Sequence, residues 1–199
     1  RTLRQIMLKG PGGFALIPGT SGLANMAALG EAQLRTLMRQ LQSFEKEVDL
    51  ILLDTGAGVS PNVLSFVQRA DQLLVVTTPE PPAITDAYAM IKVVARKNPH
   101  PQVLVVVNQV HDLAEARGVF ARVDATCRRF LDLGIRFAGH VVHDRRVTTA
   151  VRRRRPFTLD CPSAAASVCI RELADRINGQ MSRTGSAGQR AGMRRSVRP

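Results

Sequence analysis

The chain has 199 residues, enough for one domain with a short tail. Hydrophobic residues make up 45%, as in a globular protein, which excludes global disorder, a collagen and a disulfide-dense miniprotein. The net charge of +12, from 28 basic and 16 acidic residues, permits nucleic acid, an anionic membrane or an acidic protein as partner and selects none of them.

The apolar runs, such as Leu73–Val76 and Val103–Val107, are too short to span a bilayer. No secretory leader pattern opens the sequence. Cys127, Cys161 and Cys169 are scattered with no Cys-x-x-Cys spacing, which fits a reduced cytoplasm and argues against a zinc site.

Apolar runs alternate with helical patterns along the chain. Phe14–Ile17 reads as a short strand closed by Pro18 and Gly19, and the spacing of Leu29, Leu34, Leu37, Met38, Leu41 and Phe44 predicts a helix over 27–44. Asp49–Asp54 is a continuous apolar run between two acids and reads as a buried parallel strand. A short helix is expected over 62–69, a strand over 72–78, and a helix over 82–97 with prolines at its start. Strands at 102–108 and 137–142 flank a helix at 112–131, and helices at 147–153 and 163–177 follow. From Gly179 the Gly, Ser and Arg content is too polar to pack, so 179–199 is expected to be a basic disordered tail. Five strands alternating with helices predict an α/β fold with a doubly wound, mostly parallel sheet.

Ligands of such sheets sit outside the carboxyl ends of the strands, so the residues just after each apolar run are the candidates. Asp54 is followed by Thr55, Gly56, Ala57 and Gly58. A carboxylate there can hold a Mg²⁺-bound water or orient a water at a γ-phosphate, and a nearby glycine lets a backbone N–H approach a phosphate oxygen. The same residues also suit an ordinary Asp-x-Gly turn. Thr78, Pro79, Glu80, Pro81 and Pro82 form a stiff loop, either part of the site or a rigid helix entry. Asn108 can donate and accept at a purine edge, or serve as a turn residue. His143 and Asp144 read better as a loop pair at the sheet edge than as acid–base machinery, since no nucleophile accompanies them.

The phosphate loop Gly-x-x-x-x-Gly-Lys-Ser/Thr does not occur in these residues. Lys9–Gly13 and Gly19–Gly22 are glycine-rich but lack the closing lysine, and both read as turns. Arg152–Arg155 is open to three readings: a solvated helix face, a protein-docking patch and, weakest, a DNA contact without a recognition helix.

Together these strand ends resemble a known family. Asp49–Gly58, Asn62–Phe66, the run from Val75 through Glu80 to Pro81, and Ala83–Tyr88 are similar to the MinD/ParA class of P-loop ATPases, and more narrowly to its flagellar-number regulator branch, FlhG/FleN. Val105–Asn108, Phe137–Asp144 and Ala150–Phe157 extend the likeness, which covers about residues 1–178.

The resemblance implies that Asp54 is the switch II aspartate, acting on the attacking water and near Mg²⁺ through water. It places Gly58 in the γ-phosphate-sensing turn and Gly56 among the nucleotide-binding residues, has Asn108 read adenine, and has the loop around Asp144 close over the base. ATP/ADP and Mg²⁺ are the implied cofactors. An ATP-dependent homodimer, a flagellar signal-recognition-type GTPase and basal-body proteins are the implied partners; nucleic acid is not. The expected location is the cytoplasm, with transient inner-membrane association. The tail makes no apolar face, so it reads first as a solvated, frayed segment and otherwise as a weak electrostatic contact with an anionic membrane.

The family's own phosphate loop (Lys-Gly-Gly-x-Gly-Lys-Thr/Ser), its switch I aspartate and its GTPase-activating segment are expected ahead of Arg1. The chain is then the C-terminal three-quarters of an ATPase domain, inactive by itself. Two other functions share the fold. One is a nucleotide-free pseudo-ATPase scaffold for flagellar partners; the other is a ParA-type DNA-partitioning ATPase, which predicts salt-sensitive DNA binding.

Overall fold

A computed structural model describes residues 2–19, 30–55, 58, 60–98 and 102–193. The chain divides into two compact units, 1–70 and 71–199.

In the first unit, α1 (Leu3–Ile6) is followed by β1 (Leu8–Lys9) and β2 (Ala15–Leu16), which pair antiparallel. The glycine-rich stretch at 10–13 is the hairpin turn between them: Gly12 and Gly13 take φ +88° and +92°, a region open to glycine at no steric cost. In the second glycine-rich stretch, Thr20, Ser21 and Gly22 lie outside the described residues.

Helix α2 (Glu31–Gln42) places Leu34 and Met38 on one buried stripe, with Phe44 buried just beyond its end. Gln40 accepts the Leu3 N–H at 2.8 Å, Arg4 pairs with Glu47, and the Arg4 guanidinium lies 5.0 Å from the Phe44 ring centre. Helix α3 (Pro61–Val67) opens with Pro61 in its first turn, and the Ser60 hydroxyl accepts the Val63 N–H at 3.4 Å.

Residues 49–54 correct one expectation. They form no strand, and Leu52 is 77% exposed. A continuous apolar run becomes a buried strand only when neighbouring strands take its N–H and C=O groups. No such strand pairs with it among the described residues. The expected Phe14–Ile17 strand is likewise two residues of a hairpin rather than part of a parallel sheet.

The second unit is the α/β body. Strands β3 (Leu73–Thr77), β4 (Val103–Val110) and β5 (Arg136–Val142) form a parallel sheet in the order β3-β4-β5. Parallel neighbours need a crossover, supplied by α4 (Pro81–Lys97) and α5 (Leu113–Leu131). After β5 come α6 (Arg145–Arg152), α7 (Phe157–Asp160) and α8 (Ala165–Met193).

Side chains alternate across β4. Val103, Val105 and Val107 pack with Ile91 of α4 and Val119, Val123 and Cys127 of α5. Leu104 and Val106 pack on the other face with Ala138, Ala166 and Leu173. Two covered faces explain why β4 is an unbroken valine-rich run.

Helix α8 continues by its backbone to Met193, through residues expected to be disordered; 194–199 lie outside the described residues. Ala166 and Leu173 anchor its first half in the core, so its later turns extend an existing helix and need no new nucleus.

Candidate functional site

Because the strands run parallel, β3, β4 and β5 end at the same edge of the sheet, where Glu80, Asn108 and Asp144 stand. Glu80 is the N-cap residue of α4, with Pro81 and Pro82 next. A hydrogen bond from Thr78, and then its own backbone N–H, hold the Glu80 carboxyl below its ordinary value. The loop is a rigid helix entry, with its acid exposed at the helix's positive end.

At the end of β4 the ladder is irregular. Asn108 is half-buried and sits opposite Val141, but the register slips before Val110. The extra residue, Gln109, takes φ +59°, which is uncommon for a residue with a side chain, and its N–H donates to Asn108 Oδ1 at 2.9 Å. This bulge fixes the Asn108 side chain by its oxygen, so its NH₂ is the group best placed to donate to a ligand. The strand runs two residues past its expected end because Val110 is fully buried and its carbonyl accepts the His143 N–H at 2.8 Å. That bond ties the end of β4 to the loop after β5.

Asp144 is committed to the fold. It caps α6 by accepting the Arg146 N–H at 2.9 Å, and it receives Arg146 Nε and Nη2 at 3.0 Å each. These bonds, the Arg146 side chain first, pull the Asp144 carboxyl down to about 2. Its part at this edge is therefore to set the loop 143–146. Sequence reasoning missed Arg146 and Gln109. An Asp two residues before an Arg at a helix start was a readable signal for the first; Gln carries none for a left-handed bulge.

In the first unit Asp54 is exposed in a segment without regular secondary structure. Gly58 takes φ +96°, and a Cβ built on it would meet nothing within 4 Å. Its backbone is thus open to the close approach of an anion. Gly56 lies outside the described residues. Among the described residues no group of three or more His, Cys, Asp or Glu could hold a metal ion, and no helix is long and apolar enough to cross a membrane.

No protein-family model matches the chain. It is 33% identical over 176 residues to antiactivator FleN of Pseudomonas aeruginosa, covering 88% of this chain and 63% of that protein. The chain is similar to the MinD/ParA-type family, and within it to the FlhG/FleN-like branch. It is also similar to flagellum site-determining protein YlxH of Helicobacter pylori, 27% identical over 173 residues, or 86% of this chain and 58% of that one. Septum site-determining protein MinD of Bacillus subtilis is 27% identical over 157 residues, or 79% and 56%. The chain thus spans 56–63% of the length of these relatives. The α/β fold and its parallel sheet are those of the MinD-like group.

Proposed function

We propose that the chain is part of an ATP-dependent regulator of flagellar number and placement. The FleN match carries this reading: it covers 88% of the chain, so it necessarily includes the stretch from Asp54 to Asp144. Residues 1–178 are read as the ATPase domain and the remainder as its basic tail.

In this reading Asn108 and the Asp144 loop receive the adenine. Asn108 suits the part because its oxygen is already engaged, leaving the NH₂ to donate to a ring nitrogen. By the same resemblance Gly58, with Gly56, would serve the γ-phosphate, and Asp54, which is exposed, would hold a Mg²⁺-bound water and orient the attacking water. Bound Mg²⁺ would neutralise charge developing on the phosphate oxygens. No lysine-bearing phosphate loop occurs in the 199 residues, so in this reading the triphosphate grip comes from other parts of the whole protein.

The proposal extends to an ATP-dependent homodimer, to a flagellar GTPase and basal-body proteins as partners, and to a cytoplasmic location with reversible inner-membrane docking. The test is ATP turnover by the full-length protein. Asp54→Ala should abolish hydrolysis, and full turnover in that variant would remove Asp54 and the assigned mechanism.

A further inference from the structure

Six arginines fall between positions 145 and 155. Two are used within the fold: Arg146 on Asp144 at 3.0 Å and Arg155 on Asp160 at 3.2 Å. The other four, Arg145, Arg152, Arg153 and Arg154, are exposed and make no ion pair among the described residues. Arg145 and Arg152 lie seven residues apart on α6, which puts them on one stripe of the helix.

The helix then ends in an unusual way. Arg155 N–H donates to the Ala150 carbonyl at 3.0 Å and Arg154 N–H to the Val151 carbonyl at 2.9 Å. This is the Schellman pattern, whose left-handed residue is most often glycine. Here it is Arg154, at φ +54°. A side chain is disfavoured in that conformation, yet the position carries a long cation, which gathers Arg152, Arg153 and Arg154 in one tight turn. Complementing the helix dipole requires only a cation in the last turn, which Arg152 already provides.

Apolar surface borders the cluster. Val151 is 65% exposed and Leu159 56%. A shallow depression beside them is lined by Arg155, Pro156, Leu159 and Asp160.

We propose that this corner of α6 and α7 is a docking surface for an acidic segment of a partner protein. Its carboxylates meet the unpaired guanidinium groups, whose planar forks match a carboxylate two bonds at a time. Its apolar side chains cover Val151 and Leu159. A membrane is a poorer fit: the apolar side of α6, Val147 and Ala150, is already packed in the core, so the helix has no broad face to insert. Duplex DNA is also poorer, because a recognition helix reads bases near its N-terminus, whereas these cations crowd the C-terminal end. The proposal does not depend on nucleotide binding.

The test is fluorescence anisotropy of the 199-residue chain with a short labelled peptide of Asp and Glu around a central Leu. Its Asn and Gln counterpart, phosphatidylglycerol vesicles and duplex DNA serve as comparison probes. The acidic peptide should bind, weaken as salt rises, and lose at least about tenfold in affinity in Arg152→Glu/Arg153→Glu. Arg154→Gly should also weaken binding while melting no lower than the parent, which separates loss of charge from loss of fold. Equal binding of the amide peptide, unchanged affinity in natively melting variants, or a preference for vesicles or DNA through these arginines would each overturn the proposal.

Discussion

Asp144 and Arg146 hold each other twice over: the carboxylate caps the backbone N–H of Arg146 and receives two of its guanidinium nitrogens, at 2.9–3.0 Å. The pair closes the turn from β5 into α6 and shapes the sheet edge beside Asn108. It has a pH signature. The Asp144 carboxyl lies at about 2 in the fold, against an ordinary value of 3.8. A depressed folded value means that the stabilisation is fully present above the unfolded value and is lost as pH falls through the folded one. Acid melting curves should therefore lose stability between about pH 4 and pH 2. Asp144→Asn should flatten that window and lower the thermal midpoint at neutral pH; unchanged curves would show that the pair contributes nothing.

The Schellman turn at Arg154 makes an opposite prediction. Replacing a left-handed arginine by glycine relieves backbone strain but frees the unfolded chain. Arg154→Gly should be stabilising, by roughly 0.5–1 kcal/mol, in a denaturant titration of the midpoint. A destabilised variant would mean that the arginine side chain makes a contact worth more than the strain.

The two core faces set a third expectation. Ile91 is fully buried between α4 and the sheet, whereas Val76 is 58% exposed on β3. Ile91→Ala should cost about 2–5 kcal/mol, through lost burial and the cavity left behind. Val76→Ala should stay within about 0.5 kcal/mol. Comparable losses at both sites in chemical denaturation would mean that Val76 is covered in solution.

Cysteine reactivity gives a fourth. Cys127 is fully buried in α5, and burial, followed by the nearby Asp124 charge, pushes its thiol up to about 11. Near neutral pH it is protonated as well as shielded. A native-state titration with a thiol reagent should modify Cys161 and Cys169, both partly exposed, and reach Cys127 only after unfolding. Early modification of Cys127 would indicate that α5 opens locally.

Most of the second unit was legible in the sequence because its strands and main helices carry their own signals, although α7 and the later turns of α8 were not expected. Val103–Val107 has no polar residue to place on a solvent face, so it had to be covered on both sides. The prolines at 81 and 82 opened α4, and Asp112 capped α5, its carboxylate accepting the Glu115 N–H at 2.8 Å. The same reasoning failed at Asp49–Asp54, where an equally apolar run forms no strand. Helix hydrogen bonds close within a segment, but a strand needs partners from elsewhere in the chain, and no local pattern supplies them.

The sequence by itself determined the alternation of strands and helices, the valine core of β4, the basic character of the chain and the family resemblance of its strand ends. These follow from residue type and spacing. Only the tertiary structure decided how the sheet edge is built: the left-handed Gln109 that engages Asn108, the commitment of Asp144 to Arg146, and the choice of which arginines remain unpaired. Such features depend on registers and pairings between segments, and a bulge or an ion pair exists only once the segments meet.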